Sequence, residues 1–146
     1  MKIKTKPFGE IEVSEKQKIN FKDGILGFED IKHFFLLDGE NESPFYWLQA
    51  LEMPEIAFVI IDPAYIVENY KLDISQKDLD DLEIKNQNEM LIFSIVTIYE
   101  KPEDITVNLL GPIIINKIKR IGKQIINQNE EYEIKHPLLS KRRDEC

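Results

Sequence analysis

The chain has 146 residues, of which 42% are hydrophobic and 32% charged, and its formal net charge is -8. This length suits one domain with a hydrophobic core and is short for two. The excess of acidic residues disfavours nucleic acid as a direct partner, because phosphate is also negative, and favours a basic protein surface.

The first half of the chain is predicted to form short strands. Apolar residues alternate with charged ones around Ile3 and Ile11, which is typical of a strand with one solvated face. Pro7 and Gly9 interrupt the alternation and predict a hairpin. Further strands are predicted, in chain order, at KINF, at HFFLL, over Phe45–Leu51 and over Ala57–Ile61.

One helix follows. In DISQKDLDDLEI, Ser75 is suited to cap the first turn, and apolar residues recur at roughly helical spacing. The acidic run Asp78–Glu83 is typical of a solvated helix face, and the alternative is a surface for a partner. After the helix, Met90–Tyr99 is the most apolar strand candidate in the chain.

The stretch TVNLLGPIIINKI predicts two more strands that meet at a corner, Thr106–Leu110 and Ile113–Ile118. Pro112 cannot donate to a strand ladder, and Gly111 is expected to supply an unusual φ for the bend. Asn108 and Asn116 flank the corner, so we expect their amides to bind backbone groups there, the alternative being contact with a partner.

Many short strands and a single clear helix predict an all-β fold, mostly antiparallel. We expect a small β-barrel-like or sandwich domain with one or two short helices, over residues 1–139. Residues 140–146, SKRRDEC, carry mixed charge without apolar periodicity and predict a disordered tail.

The sequence contains no recognisable catalytic or metal-binding set. His33 and His136 are the only histidines, and neither has the spacing to other ligands that a zinc site needs. The single cysteine, Cys146, has no neighbouring base, and nucleophile-elbow and phosphate-loop motifs are absent from the sequence. We therefore predict that the protein is not an enzyme and has no metal or cofactor.

The expected location is the cytoplasm. One cysteine cannot form an intramolecular disulfide, which fits a reducing compartment. The opening residues lack the apolar core of a secretory signal, and no apolar run approaches the roughly 20 residues that a membrane helix needs.

Candidate binding residues lie in two segments. DPAYIVENYKLDI mixes tyrosines with acids, which suits an interface with a basic partner, although the tyrosines are equally well suited to cap the core. The turn GFED offers a second surface, because functional contacts often lie on turns. The predicted partner-binding residues are Phe28, Glu29, Asp62, Tyr65, Tyr70 and Asp73.

Six blocks in a fixed order give the chain a family resemblance: FKDGILGFED, PFYWLQAL, AFVIIDPAYIVENY, TVNLLGPIIIN, RIGKQIIN and YEIKHPL. Together they cover Phe21 to Leu138 and resemble the flagellar assembly factor family, FliW. One departure is the glycine of NLLGP, where the family often has alanine. The resemblance implies a cytoplasmic regulator with a small β-barrel-like fold that binds flagellin and the RNA-binding carbon storage regulator CsrA.

The resemblance further implies that exported flagellin frees the factor to bind the regulator, which then stops repressing flagellin translation. The regulator would lose RNA either by direct occlusion or by linkage between two sites. Two other functions stay open on the sequence alone: a small-molecule-binding β-barrel with an internal polar cavity, and an export chaperone for flagellin only.

Overall fold

The computed structural model of the chain describes residues 1–39 and 42–139. The predicted charged tail, residues 140–146, lies outside the described residues. Within them, one α-helix, α1 (Gln76–Asp81), accompanies eleven strands: β1 (Lys2–Thr5), β2 (Gly9–Glu12), β3 (Lys18–Asn20), β4 (His33–Asp38), β5 (Phe45–Ala50), β6 (Ala57–Ile61), β7 (Met90–Thr97), β8 (Thr106–Val107), β9 (Ile113–Asn116), β10 (Ile121–Gln124) and β11 (His136–Pro137).

Seven of these strands close into a barrel in the order β7-β6-β5-β4-β3-β10-β9, with β9 returning to β7. Neighbouring strands are antiparallel except β3 and β10, which are parallel. Closure leaves no open edge in this part of the sheet. The prediction of a mostly antiparallel, barrel-like all-β fold is therefore confirmed.

Strand β7 is long because it serves two sheet regions. Its first half, Met90–Phe93, pairs with β9 and closes the barrel, whereas Val96 and Thr97 pair with β8. Strand β11 adds to the outer side of β8. The N-terminal arms, β1 and β2, form the predicted hairpin as a separate two-stranded sheet.

Alternation along the strands separates the barrel interior from the outer packing. Leu48 on β5 points into the barrel, while the neighbouring Trp47 packs outward against the cluster that holds the N-terminal hairpin. Gln49 is fully buried on the outer face and satisfies its amide with the backbone of Lys6, Ala50 and Pro54. The barrel interior is filled by buried apolar side chains: Ile19, Phe21, Ile25, Ile31, Phe34, Leu48, Ala50, Ile60, Phe93, Ile113 and Ile115.

The corner between β8 and β9 differs from the prediction in two ways. Strand β8 ends at Val107 rather than Leu110, because the Asn108 side chain turns the backbone that follows. Gly111 does not have a positive φ, so the expected reason for glycine is wrong. Space is the better reason: a Cβ at Gly111 would lie 3.1 Å from Nδ2 of Asn108.

Four other predicted strands were too long at their C-terminal ends. The strands predicted at KINF and Phe45–Leu51 each end one residue earlier, at Asn20 and Ala50. β9 ends at Asn116 rather than Ile118, where the buried Asn116 amide begins a turn. β7 ends at Thr97 rather than Tyr99. None of the helices in the described parts of the chain is both long and apolar enough to cross a membrane.

Candidate protein-binding surfaces

A shallow groove of about 340 Å³ lies beside the Gly111-Pro112 corner, and we call it the corner groove. Its lining residues are Asp23, Gly24, Leu26, Glu29, Asn108, Leu110, Gly111, Gln124, Ile126 and Ile134. It therefore brings the predicted partner residue Glu29 together with two residues of the predicted structural corner. Three of the lining residues, Leu26, Ile126 and Ile134, are exposed large apolar side chains.

Side-chain amides hold the groove together. Asn108 accepts hydrogen bonds from the backbone N–H groups of Leu110 (3.1 Å) and Gly111 (2.7 Å) through Oδ1. Gln124 accepts from the N–H of Leu26 (3.0 Å) and donates to the carbonyl of Gly111 (3.0 Å). One glutamine thus links the 21–31 loop to the corner, two regions that are far apart in the sequence.

The loop that carries Leu26 has a fixed backbone. Gly24 has a φ of +68°, and a Cβ there would lie 2.7 Å from Cα of Glu29, so glycine is required on both counts. Phe28 packs inward, with its ring 5.2 Å from that of Phe58. Glu29 faces solvent and accepts from the N–H of Gly27 at 3.0 Å. That hydrogen bond lowers the pKa of the Glu29 carboxyl below its usual value, with smaller help from Lys32.

The predicted tyrosine segment divides between core and surface. Tyr70 is half-buried, donates to the carbonyl of Leu109 at 2.6 Å and packs against Tyr132 with ring centroids 4.6 Å apart. Burial raises the pKa of the Tyr70 hydroxyl, while its hydrogen bond with Asn127 opposes that shift. Tyr70 therefore caps the apolar cluster beside β8, which was one of its two predicted roles.

Asn127 was not singled out in the sequence, yet it organises this segment. Its buried amide accepts from the N–H of Asp73 (2.9 Å), and it donates to the hydroxyl of Tyr70 (3.1 Å) and the carbonyl of Lys71 (2.9 Å). The Asp73 backbone is thus fixed to the segment after β10, while the residue stays exposed.

Asp62 and Tyr65 lie elsewhere, beside a separate surface formed by the first half of β7. Asp62 caps a 3-10 turn by accepting from the N–H of Ala64 at 2.9 Å. Tyr65 is exposed and borders a groove of about 520 Å³ together with Asp62 and Met90, and we call it the Tyr65 groove. The six predicted partner-binding residues therefore do not form one site.

A larger cleft of about 700 Å³ lies between α1 and the pair β3–β10, and we call it the helix cleft. On its wall, the ammonium of Lys123 contacts carboxylate oxygens of Asp78 (2.7 Å) and Asp81 (2.6 Å). Lys77 adds a second ion pair to Asp81 at 2.9 Å. Two acids of the predicted solvated run are thus neutralised by lysines of the same chain.

These ion pairs change the acid–base behaviour of the cleft. Hydrogen bonds from Lys123 and Lys77 lower the pKa of Asp81 to about 2. Burial alone would lower the pKa of Lys123, but hydrogen bonds to Asp78 and Asp81 raise it above its usual value. Both shifts favour the charged forms of Asp81 and Lys123, so this ion pair persists throughout the physiological pH range.

Asn116 fixes the end of α1, beside the helix cleft, rather than the Gly111-Pro112 corner. Its buried Nδ2 donates to the carbonyls of Leu82 (2.9 Å) and Glu83 (3.2 Å), at the end of α1. Its Oδ1 accepts from the N–H groups of Ile118 and Lys119 in the turn after β9. Of the two asparagines that flank the corner, only Asn108 binds backbone groups at the corner itself.

In the described residues, no group of three or more His, Cys, Asp or Glu side chains is arranged to hold a metal ion. The surfaces described above combine apolar side chains with fixed charges, which are the kinds of group found at protein–protein interfaces. His33 pairs with Glu52 through Nδ1 at 2.9 Å on the barrel surface.

Comparison with known proteins decides the family. A family model described as FliW protein matches residues 2–138. Proteins named flagellar assembly factor FliW from Natranaerobius thermophilus and Thermoanaerobacter pseudethanolicus are 43% and 45% identical, over 96% and 95% of this chain and 93% of each relative. The chain belongs to the FliW family.

A solved structure supports the same assignment at the level of the fold. A crystal structure described as that of the flagellar assembly factor FliW superposes with a TM-score of 0.88 at 37% identity, covering 97% of this chain and 99% of the other. The resemblance inferred from six sequence blocks is therefore confirmed.

The sequence interpretation of this FliW-family chain missed the apolar side chains of the corner groove. Neither Leu26 nor Ile126 was among the predicted partner-binding residues. The available signal was the unusual placement of large apolar residues beside turn-forming Gly27 and polar Asn127. Their proximity arises only when the barrel closes and Gln124 joins the two segments.

Proposed function

We propose that this chain is a cytoplasmic flagellar assembly factor that binds flagellin and the carbon storage regulator CsrA, and so relieves translational repression of flagellin. The observation that carries the proposal is membership of the FliW family over residues 2–138. The relatives named above are themselves called flagellar assembly factors. The proposed activity is binding, without catalysis.

The physical properties of the chain support a basic protein partner. The net charge of -8 repels RNA and attracts the cationic surface that an RNA-binding regulator must carry. Exposed acids at Glu29 and Asp73 lie on backbone held by hydrogen bonds, so little entropy is lost when they meet a partner.

The alternative of a small-molecule-binding barrel has less support. Phe21, Phe34 and Ile113 are among the side chains that fill the described barrel interior, and all three are fully buried. The corner groove, helix cleft and Tyr65 groove are open surface features rather than enclosed polar cavities. A described interior filled with apolar side chains favours a protein-binding function over a ligand carrier.

Titration calorimetry with purified flagellin and purified carbon storage regulator tests the proposal. We expect the chain to bind each protein, and a mobility-shift assay with the chain alone to show no RNA binding at physiological salt. Binding to neither protein would refute the proposal. Binding to flagellin alone would favour the export-chaperone alternative.

A second titration separates occlusion from linkage. The affinity of the regulator for RNA is measured at increasing concentrations of this chain. Direct occlusion weakens the apparent affinity without limit as the chain is added, whereas linkage reaches a plateau set by the coupling free energy. We expect binding beside the RNA surface, assisted by the negative charge of the chain, and therefore a plateau.

A further inference from the structure

The corner groove combines exposed apolar side chains with one sign of charge. Leu26 is 77% exposed, Ile126 62% and Ile134 58%. Single exposed apolar residues are ordinary, but three around one groove are characteristic of an interaction surface. The two charged residues in the lining, Asp23 and Glu29, are both acidic.

The groove leaves this charge available to a partner. Among the described residues that line it, none is Lys, Arg or His. Glu29 is fixed by the N–H of Gly27 and faces solvent. By contrast, Asp81 in the helix cleft meets both Lys123 and Lys77 of the same chain, and Lys123 also meets Asp78.

The groove is also held in place before any partner arrives. Gln124 binds the backbone of Leu26 and of Gly111, and Asn108 closes the turn beneath them. The positive φ of Gly24 and its close approach to Glu29 fix the loop from the other side. Pre-organised contacts lose little conformational entropy on association, which favours affinity.

We propose that the corner groove is a docking site for a partner segment that places apolar side chains beside lysine or arginine. The inference rests on the proposed function and deepens it, since it assigns the groove to the RNA-binding regulator rather than to flagellin. An RNA-binding protein needs cationic side chains to contact phosphate, and those cations complement Asp23 and Glu29. The apolar centre supplies affinity, and the acidic rim supplies orientation and association rate.

The test compares two isoleucines of nearly equal exposure. Ile126 lines the groove, whereas Ile118, 63% exposed, lies in the turn after β9 and outside the groove lining. Binding of purified regulator and of purified flagellin is measured by titration calorimetry for the full chain, Ile126→Asp and Ile118→Asp. We expect Ile126→Asp to weaken regulator binding about tenfold or more, because it removes a central apolar contact, and Ile118→Asp to change it less than about twofold.

The charge of the rim is tested with Glu29→Gln, which keeps an acceptor for the N–H of Gly27 and removes the carboxylate charge. Glu103→Gln, at an exposed turn outside the groove lining, is the matched control. We expect Glu29→Gln to weaken regulator binding about threefold at low salt and less at high salt, as for a rim charge. Equal effects of the two variants would mean that only net charge matters and would overturn the acidic-rim part of the assignment.

The outcomes separate the two proposals. If the wild-type chain binds neither protein, the proposed function is wrong and the docking assignment is wrong with it. If it binds the regulator and Ile126→Asp binds equally well while melting like wild type, only the docking assignment is wrong. Loss of flagellin binding alone would assign the groove to flagellin instead. Loss of self-association, seen by sedimentation without partner, would assign it to a second copy of the chain.

Discussion

In the helix cleft, Lys123 contacts Asp78 and Asp81 within 2.7 Å, so acidic and basic groups satisfy each other inside one chain. In the corner groove, Glu29 is held by a backbone N–H, and its neighbours in the lining are apolar or uncharged apart from Asp23. The larger depression therefore contains acids that are paired with lysines, whereas in the described residues neither Asp23 nor Glu29 of the smaller one forms a salt bridge, and both lie next to apolar surface. We therefore expect the smaller depression, rather than the larger one, to bind the partner.

The comparison also concerns how each region is built. The helix cleft is built on the buried ring of Phe21, which lines it, and on Asn116, which links the end of α1 to the turn after β9. The corner groove depends on the half-buried amides of Asn108 and Gln124. We therefore expect substitutions in the first region to affect stability more, and those in the second to affect binding more.

The largest difference in stability is expected between two buried glycines. A Cβ at Gly122, in the helix cleft, would lie 2.6 Å from the fully buried ring of Phe21, which packs against Phe34. Gly122→Val should lower the free energy of unfolding by about 3 kcal/mol or more, because a packed core ring cannot move aside. Gly111→Val meets the Asn108 amide at 3.1 Å and should cost about 1–2 kcal/mol.

Urea unfolding followed by circular dichroism measures both glycine variants. Equal costs would show that the corner is as tightly packed as the barrel wall. A Gly111→Val chain that melts like wild type and no longer binds the regulator would show that the corner itself is contacted by the partner.

The next largest difference is expected between two asparagines. Asn116→Ala leaves the carbonyl of Leu82 and the N–H of Ile118 without their partner and should cost about 1–3 kcal/mol. Asn108→Ala removes an acceptor from a half-buried turn that water can reach, so its expected cost is about 0.5–1.5 kcal/mol. Thermal unfolding of the two variants side by side measures the difference, and the reverse order would contradict the structural comparison.

The smallest expected effect concerns acid stability. The pKa of Asp81 is lowered to about 2 from an ordinary value of 3.8, so the folded state binds its proton less tightly than the unfolded chain does. This contribution to stability is present above about pH 4 and is lost as the pH falls toward 2. Asp81→Asn should flatten the decline of stability across that window and do so less at high salt, since the carboxylate is exposed.

The free energy of unfolding is measured as a function of pH for Asp81→Asn and, as a control, for Asp80→Asn. Asp80 lies on the same helix and accepts from the Gln76 amide rather than from a lysine. The slope of the unfolding free energy against pH could be unchanged in Asp81→Asn, or changed equally in both variants. Either result would mean that the Lys123 ion pairs add nothing specific to folding.

Local pattern predicted much of the fold. The limits of β6 match the prediction of Ala57–Ile61, and Ser75 accepts from the N–H of Asp78 as the helix cap. The ends of β7 and β8 were less accurate, because Asn108 and the residues after Thr97 leave the ladder through side-chain bonds and turns that β-propensity does not encode.

The candidate site was predicted only in part. Glu29 was selected because it lies on a turn, and the structure places it on the corner groove. Ile126 and Leu26 were not selected, since they are 100 residues apart and meet only through barrel closure and the Gln124 amide. Gly111 was correctly placed at a bend, but the spatial demand of the Asn108 amide cannot be read from neighbouring sequence.

Amide hydrogen exchange of the chain with and without purified carbon storage regulator tests the central claim most directly, because it maps contacts without any substitution. We predict slower exchange in the complex across the segments that form the corner groove, residues 24–29, 108–111 and 124–134, with little change in residues 76–83 of the helix cleft. Protection confined to residues 76–83, with the corner groove unchanged, would contradict the account.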